Sequence, residues 1–241
     1  MILKERIAWD KYSEEFKKWL TDLERYPAYA SAISYNLLKY SRGITLEVGS
    51  GSGRNSLFLA RVGRFVVLLD FSLKAMKFSK ELFLKNNLPG NFIVADACHL
   101  PFRENVFDFI FADSSLEHIK NYVKAFHQMI SVLKLNGYIM ITVPNRFRLD
   151  GWPLWKLLYR PKYYQKEFSP RELKMLGEYF KELIPVDFFG YEIQSPVIPL
   201  FSIIFGKIVN KDKLRVWLTG FFPSIISINI GIIWQKLVKV V

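Results

Sequence analysis

The sequence predicts an α/β protein built on one sheet of parallel strands with helices on both faces. Short runs of β-branched and aromatic residues alternate with helical patterns between Ile44 and Pro144. Such alternation is typical of parallel strands joined by right-handed crossovers. The strand candidates are apolar along almost their whole length, which indicates a sheet buried on both faces. A chain of 241 residues is long enough for one such domain with a large core.

Five strands and three helices make up the predicted core. The strands are expected at 44–49, 65–70, 91–96, 107–113 and 138–144. The helices between them are expected at 53–62, 72–86 and 119–135.

Further elements are predicted on either side of this core. Two amphipathic helices, at 5–20 and 28–40, precede it, and two late strands, at 182–193 and 228–240, follow it. A helix at 169–180 begins with a capping box, in which Ser169 is the N-cap and Glu172 reaches back to it.

Composition narrows the class of protein. Hydrophobic residues make up 51% of the chain, which excludes a disordered chain. Cys98 is the single cysteine, so no internal disulfide can form. The N-terminus has no apolar run long enough for a signal peptide. From these two observations we expect a cytoplasmic protein. The net charge of +12 favours an anionic partner, such as nucleic acid or an acidic membrane surface. The alternative explanation of this charge is heat adaptation, because heat-adapted proteins also carry abundant surface lysine.

The most informative stretch is "LEVGSGSG", a glycine loop between the first strand and the first core helix. Such a loop brings backbone close to a ligand and aims free N–H groups at it. It does not fit the dinucleotide pattern G-x-G-x-x-G, because the sixth position from Gly49 is Arg54. It does not fit the nucleophile elbow either, because Gly51 stands where that motif needs serine. What remains is Glu-x-Gly-x-Gly-x-Gly, formed by Glu47, Gly49, Gly51 and Gly53.

Acidic residues at three strand ends favour a cationic ligand over a diphosphate. S-adenosylmethionine carries a sulfonium and an ammonium group, so the glycines are expected to make room for its amino-acid part and Glu47 to supply negative charge. Asp70, at the second strand end, is placed to accept hydrogen bonds from both ribose hydroxyls. Asp96, at the third, is placed to accept one from the adenine amino group. Structural alternatives stay open: Asp70 with Ser72 as a helix cap, and Asp96 as a turn residue.

Together these segments resemble the class I S-adenosylmethionine-dependent methyltransferases, in the broad group that includes the quinone-biosynthesis methyltransferases. The resemblance spans roughly residues 5–180. It is carried by "WDKYSEEFKKW", "LEVGSGSG", "LLDFSLKAM", "VADACHLPFRENVFDFIFADSSLEHI" and "LKLNGYIMITVPN". It implies a Rossmann-like, seven-stranded, mostly parallel sheet of order 3-2-1-4-5-7-6, whose antiparallel last strand is 228–240. It also implies S-adenosyl-L-methionine as cofactor, and we expect no metal ion.

The same resemblance implies further site residues. Phe71 would pack on the adenine, and Ala97 or Cys98 would bind it through the backbone. Asp113 would lie near the sulfonium and the methionine part, and Tyr12 would cover the site.

We therefore expect a single methyltransferase domain over residues 1–241. It divides into a helical cap at 1–42, a cofactor-binding core at 43–144, an acceptor-side cap at 145–227 with one core strand and helices, and a final strand at 228–241.

The methyl acceptor is less constrained. His118 follows the fourth strand and is the candidate base, with a structural role in capping or packing as the alternative. The sequence after that strand, Asp113 followed by "SSL", lacks the Asn/Asp-Pro-Pro-aromatic motif of amide and base N-methyltransferases. Cys98 lies at the adenine end, which argues against cysteine-dependent methylation of RNA pyrimidines. These arguments leave an oxygen, carbon or amine acceptor on a small or lipid-like molecule, with an RNA methyltransferase or a catalytically degenerate cofactor-binding protein as alternatives.

Two segments indicate which molecules the protein could bind. Residues 146–168 interleave basic and aromatic side chains, a mixture that suits stacked bases, a membrane interface or an ordinary packed lid. Residues 216–234 carry no charge over the length of a membrane span, but Gly220, Pro223 and Gly231 interrupt them, and 228–240 is needed as a strand. We therefore expect 195–227 to cover an apolar acceptor pocket and to touch an anionic membrane surface.

Overall fold

The structure, a computed structural model, describes residues 5–13, 27–147, 164–193 and 227–238. Predictions for 14–20, 148–163 and 194–226 lie outside these residues. Within them the strands are β1 (Ile44–Val48), β2 (Phe65–Asp70), β3 (Asn91–Val94), β4 (Phe107–Asp113), β5 (Leu133–Pro144), β6 (Leu183–Ile193) and β7 (Ser227–Lys236). The helices are α1 (5–13), α2 (Pro27–Tyr40), α3 (Arg54–Arg61), α4 (Leu73–Lys85), α5 (Tyr122–Val132) and α6 (Pro170–Glu178), with a 3-10 turn at Leu116–His118.

The described strands form one seven-stranded sheet in the order β3-β2-β1-β4-β5-β7-β6. Strands β1 to β5 pair in parallel, whereas β7 runs antiparallel to both β5 and β6. This arrangement confirms the predicted fold class, including the antiparallel last strand. Because the parallel strands end together, the residues that follow β1, β2 and β4 meet at one edge of the sheet.

Apolar side chains cover both faces of the sheet, as the near-continuous apolar strands predict. One face packs against α5 and α6 through residues such as Phe126 and Leu173. The other packs against α2, α3 and α4 through residues such as Leu37, Leu59 and Phe83. All five of these side chains are almost completely buried. Burial of this extent, at about 25 cal/mol per Å², is the main stabilisation of the sheet.

The junction between α5 and β5 differs from the sequence prediction. The helix expected over 119–135 ends at Val132, and Leu133 already pairs with Phe107 of β4. The ladder then shifts register, and Asn136 takes a positive φ of 62°. Residues 133–135 join the strand and not the helix, because pairing with β4 supplies hydrogen bonds that one further helical turn would not.

The capping box of α6 is confirmed. The Ser169 hydroxyl accepts a hydrogen bond from the N–H of Glu172, and the Glu172 carboxylate accepts one from the N–H of Ser169 at 2.8 Å. Among the helices in the described part of the chain, none has the length and hydropathy required to cross a membrane.

Candidate functional site

A cavity of about 700 Å³ opens at the edge of the sheet where β1, β2 and β4 end. The loops that follow these strands form its walls, and α1 contributes Trp9 and Tyr12. All predicted site residues except Gly53 line it. They are Tyr12, Glu47, Gly49, Gly51, Asp70, Phe71, Asp96, Ala97, Cys98, Asp113 and His118.

The glycine loop divides into a ligand-facing part and a packing part. Gly49, Gly51 and Gly53 all have left-handed backbone, with φ of 70°, 52° and 71°, which favours glycine at each position. A Cβ on Gly51 would meet no atom within 4 Å, because this position faces the cavity. A Cβ on Gly53 would lie 2.7 Å from Leu68 of β2 and 2.9 Å from Ser79 of α4. Room for a ligand is therefore at Gly51, whereas Gly53 allows the start of α3 to pack closely.

Glu47 supports the loop as well as lining the cavity. Its Oε2 accepts hydrogen bonds from the Ser56 hydroxyl at 2.5 Å and the Ser56 N–H at 3.2 Å, in the first turn of α3. Gly53, the N-cap of that helix, offers no side-chain acceptor, so Glu47 takes this role from outside the helix. Burial, helped by the charge of Asp113, raises the pKa of Glu47 to about 8. The negative charge expected here therefore requires loss of a proton, which a nearby cation favours.

Asp70 combines both roles considered for it. Its Oδ2 accepts a hydrogen bond from the N–H of Gly51 at 2.8 Å, and its Oδ1 accepts one from the N–H of Ser72 at 2.8 Å. Ser72 itself caps α4 by accepting from the N–H of Ala75 at 3.0 Å. Burial raises the pKa of Asp70. The carboxyl therefore ties the glycine loop to the end of β2 while facing the cavity beside Phe71.

Asp96 lies two residues past the end of β3, in a tight loop. Its Oδ1 accepts a hydrogen bond from the N–H of Cys98 at 2.8 Å, and its Oδ2 lies 3.2 Å from Nδ1 of His99. This is the turn geometry considered as the alternative, and the side chain still lines the cavity together with Ala97 and Cys98. Burial raises the pKa of the Cys98 thiol to about 11, so it is not a thiolate nucleophile at neutral pH.

Asp113 is held by residues that sequence analysis did not foresee. Its Oδ1 accepts hydrogen bonds from the hydroxyls of Thr142 at 2.6 Å and Tyr191 at 3.0 Å. Its Oδ2 accepts one from the Asn55 side chain at 2.8 Å and lies 3.7 Å from the Arg54 guanidinium. Thr142 at the end of β5 follows from the parallel register. No sequence signal places Tyr191 here, because β6 is an antiparallel edge strand whose register depends on β7.

His118 is oriented as a hydrogen-bond acceptor toward the cavity. Its Nδ1 lies 2.9 Å from the carbonyl oxygen of Tyr164, and a carbonyl can only accept, so the proton is on Nδ1. The other ring nitrogen, Nε2, then carries the lone pair. Burial lowers the pKa of His118, which keeps the ring neutral. The indole of Trp9 packs edge-on against it, with ring centroids 4.9 Å apart.

Helix α1 is attached to both sides of the cavity. Asp10 accepts hydrogen bonds from the Ser72 hydroxyl at 2.5 Å and the N–H of Lys74 at 3.2 Å. On the other side, Glu5 pairs with Lys120 at 2.6 Å. Tyr12 of this helix lines the cavity.

A parallel sheet with a glycine loop after β1 and acidic residues at the ends of β1, β2 and β4 is typical of the Rossmann-like class of nucleotide-cofactor proteins. A family model described as "Methyltransferase domain" matches residues 46–141. An uncharacterized protein of Methanocaldococcus jannaschii is 28% identical over 194 residues, which cover 75% of this chain and 89% of that one. A demethylmenaquinone methyltransferase of Paenarthrobacter aurescens is 33% identical over 114 residues, 47% of this chain but only 42% of that enzyme.

The comparison of structures agrees on the fold. An S-adenosylmethionine-dependent methyltransferase from Aquifex aeolicus superposes with a TM-score of 0.64 at 16% identity, covering 93% of this chain and 98% of that one. A chain in the complex of the Haloferax volcanii Trm112 methyltransferase activator with a methyltransferase gives 0.68 at 13% identity, covering 95% and 98%. Residues 46–141 therefore match a methyltransferase domain, and the described strands have the fold of the S-adenosylmethionine-dependent methyltransferases. The cofactor that this match implies is S-adenosyl-L-methionine.

The cavity fits this cofactor. The face above Gly51 is open to a ligand, while Asp70 presents a buried carboxyl beside it. Glu47 and Asp113 add acidic groups to the lining of the same cavity, which suits a ligand with cationic groups.

Proposed function

We propose that the protein transfers the methyl group of S-adenosylmethionine to a small or lipid-like acceptor whose reacting group carries a hydroxyl, such as a quinol-type precursor. The cofactor supplies an electrophilic methyl group on a sulfonium. The observation that carries the proposal is the tautomer of His118: Nδ1 donates to Tyr164, and Nε2 is left as an acceptor. A neutral imidazole in this orientation suits an acceptor that must lose a proton.

The relatives support the same class of acceptor. Enzymes from Paenarthrobacter aurescens and Thermobifida fusca that align with this chain are named demethylmenaquinone methyltransferases. In the proposed site, Glu47, Asp70, Asp96 and Asp113 hold the cofactor, and His118 is the base. Positioning of the acceptor against the methyl group supplies much of the remaining rate enhancement.

Turnover tests the proposal directly. The protein is incubated with labelled S-adenosylmethionine and a short-chain demethylmenaquinol, and methylated product is measured. We expect turnover that falls about 100-fold or more in His118→Gln. The control is His127→Gln, which changes an exposed residue of α5 outside the cavity. Binding of S-adenosylhomocysteine without turnover on quinols, lipid extracts or metabolite extracts would instead indicate a degenerate, cofactor-binding protein.

The second candidate acceptor is RNA, which the net charge of +12 favours. It predicts RNA retention on filters that falls steeply as salt rises. The lipid-like acceptor predicts that the protein sediments with anionic liposomes and that this binding weakens as salt rises. Retention of RNA without liposome binding would favour RNA as the methyl acceptor.

A further inference from the structure

Glu117 is a buried acid in the wall of the cavity that the reaction described so far does not use. It lies in the 3-10 turn after β4 and is 1% exposed. Among the described residues, its Oε2 has no hydrogen-bond partner. A buried carboxylate with one oxygen unpaired is strongly disfavoured, so the group is favoured here as a neutral acid or with a ligand beside it.

The position of Glu117 relative to His118 shows which ligand atom it would meet. The Glu117 Oε1 lies 3.9 Å from Nε2 of His118, too far for a direct hydrogen bond. One ligand oxygen can lie about 2.8 Å from both atoms at once. Both residues line the cavity. The terminal torsion of glutamate is broad and roughly two-fold, so either carboxyl oxygen can face this point.

The two groups differ in what they offer to such an oxygen. Nε2 of His118 accepts, because Nδ1 holds the ring proton through Tyr164. A neutral Glu117 with its proton on Oε2 donates, because this oxygen has no hydrogen-bond partner among the described residues. A hydroxyl group is the complement of this pair, since it donates one hydrogen and accepts another.

We propose that Glu117 is a second acceptor-binding residue, which donates a hydrogen bond to the acceptor hydroxyl while His118 takes the proton of that hydroxyl. The inference rests on the proposed function. In the transfer the acceptor forms its bond to the methyl carbon, and the bond from that carbon to the cofactor sulfur breaks with its electron pair left on sulfur. The hydroxyl proton goes to Nε2 of His118, and Glu117 keeps its own proton throughout. For methylation at a ring carbon, the same deprotonation gives the nucleophilic enolate form, and that carbon afterwards loses its own proton to water.

Binding of a phenol tests the inference without any turnover. The protein is saturated with S-adenosylhomocysteine and titrated with 4-nitrophenol, whose phenolate alone absorbs visible light. We expect Glu117→Leu to weaken binding at least about tenfold, because a hydrogen bond to a charged group is lost. Glu117→Gln keeps a donor of the same shape and should stay within about threefold. The matched control is Glu178→Leu, at an exposed position of α6.

The pH dependence separates this role from a structural one. Burial, with a smaller contribution from the charge of Asp113, raises the pKa of Glu117 to about 8. The titratable groups that face it are Asp113 at the end of β4 and His118 on its own turn. Above this pKa the donor is lost and the carboxylate repels the phenolate, so affinity in the wild type should fall. The amide in Glu117→Gln does not titrate, and this additional fall should disappear.

The outcomes distinguish the inference from the proposed function. Phenol binding that depends on Glu117, without turnover of quinols, would overturn the proposed acceptor and leave the role of Glu117 intact. Turnover with unchanged binding in Glu117→Leu would overturn the role of Glu117, as would failure of the wild type to bind 4-nitrophenol. Unchanged S-adenosylhomocysteine affinity and melting temperature in Glu117→Leu would show that the variant is folded.

Discussion

Alanine at Gly51 should mainly weaken cofactor binding and alanine at Gly53 should mainly lower stability, although the two glycines are two residues apart in one loop. Both have left-handed φ, so both variants lose about 1.5 kcal/mol of stability to backbone strain. At Gly51 the new methyl group faces the open cavity. At Gly53 it would lie 2.7 Å from a methyl carbon of Leu68 and 2.9 Å from the hydroxyl oxygen of Ser79, closer than side-chain Cβ atoms normally approach other atoms. Overpacking of this kind costs about 2 kcal/mol more.

These costs translate into different melting temperatures and affinities. For a domain of this size about 1 kcal/mol corresponds to 2–4 °C, so Gly51→Ala should melt about 3–6 °C lower and Gly53→Ala about 7–14 °C lower. Gly51→Ala should bind S-adenosylhomocysteine at least about tenfold more weakly, because the methyl group occupies ligand space. Gly53→Ala, once folded, should bind within about threefold of the wild type.

Thermal unfolding followed by circular dichroism, and calorimetric titration below both melting temperatures, measure the two effects. The reasoning is refuted if Gly51→Ala binds S-adenosylhomocysteine like the wild type, because the cofactor then does not lie over this glycine. Equal melting temperatures for the two variants would show that the packing at Gly53 adjusts without cost.

Three further predictions concern buried polar groups. Asp70→Ala should weaken S-adenosylhomocysteine binding at least about tenfold in calorimetry, since charge-assisted bonds are lost, whereas Asp108→Ala, at the opposite end of the sheet, should only lower stability. Glu47 has a pKa of about 8 in the folded protein, against 4.5 for an ordinary glutamate, so the free energy of unfolding should fall as pH rises from 4.5 to 8. The fall should be smaller in Glu47→Gln, and melting temperatures measured across this pH range test it. Lys236 donates hydrogen bonds to the carbonyls of Ile130 and Leu133 at the end of α5. Lys236→Met removes both bonds and should lower the melting temperature by about 6–12 °C without changing cofactor affinity. An unchanged melting temperature would contradict this prediction.

The sequence predicts the sheet well because its signals are local. Apolar strands, the capping box at Ser169 and the glycine loop each depend on residues close together in the chain. Parallel pairing then brings Glu47, Asp70 and Asp113 to one edge without further information.

The remaining features of the site depend on contacts distant in sequence. Tyr191 reaches Asp113 from the edge strand β6 across β7 and β5, and only the folded register decides that contact. Glu47 bonds to Ser56, a partner that a search for ligand-binding charges does not suggest. Glu117 is not identifiable as a functional candidate until its burial and its missing partner are known.

Asp113 and Glu117 show how the fold treats two neighbouring acids differently. Asp113 is surrounded by donors from β5, β6 and α3, an environment that holds a carboxylate in place. Glu117 is buried with its Oε2 unpaired among the described residues, and Asp113 adds a repelling charge, so the proton stays on Glu117. We infer that the cavity therefore keeps negative charge beside the cationic cofactor and a neutral donor beside the acceptor. If both acids were ionised, their negative charges would destabilise the anion that forms when the acceptor hydroxyl gives its proton to His118. Keeping Glu117 neutral removes that opposition at the point where the new bond forms.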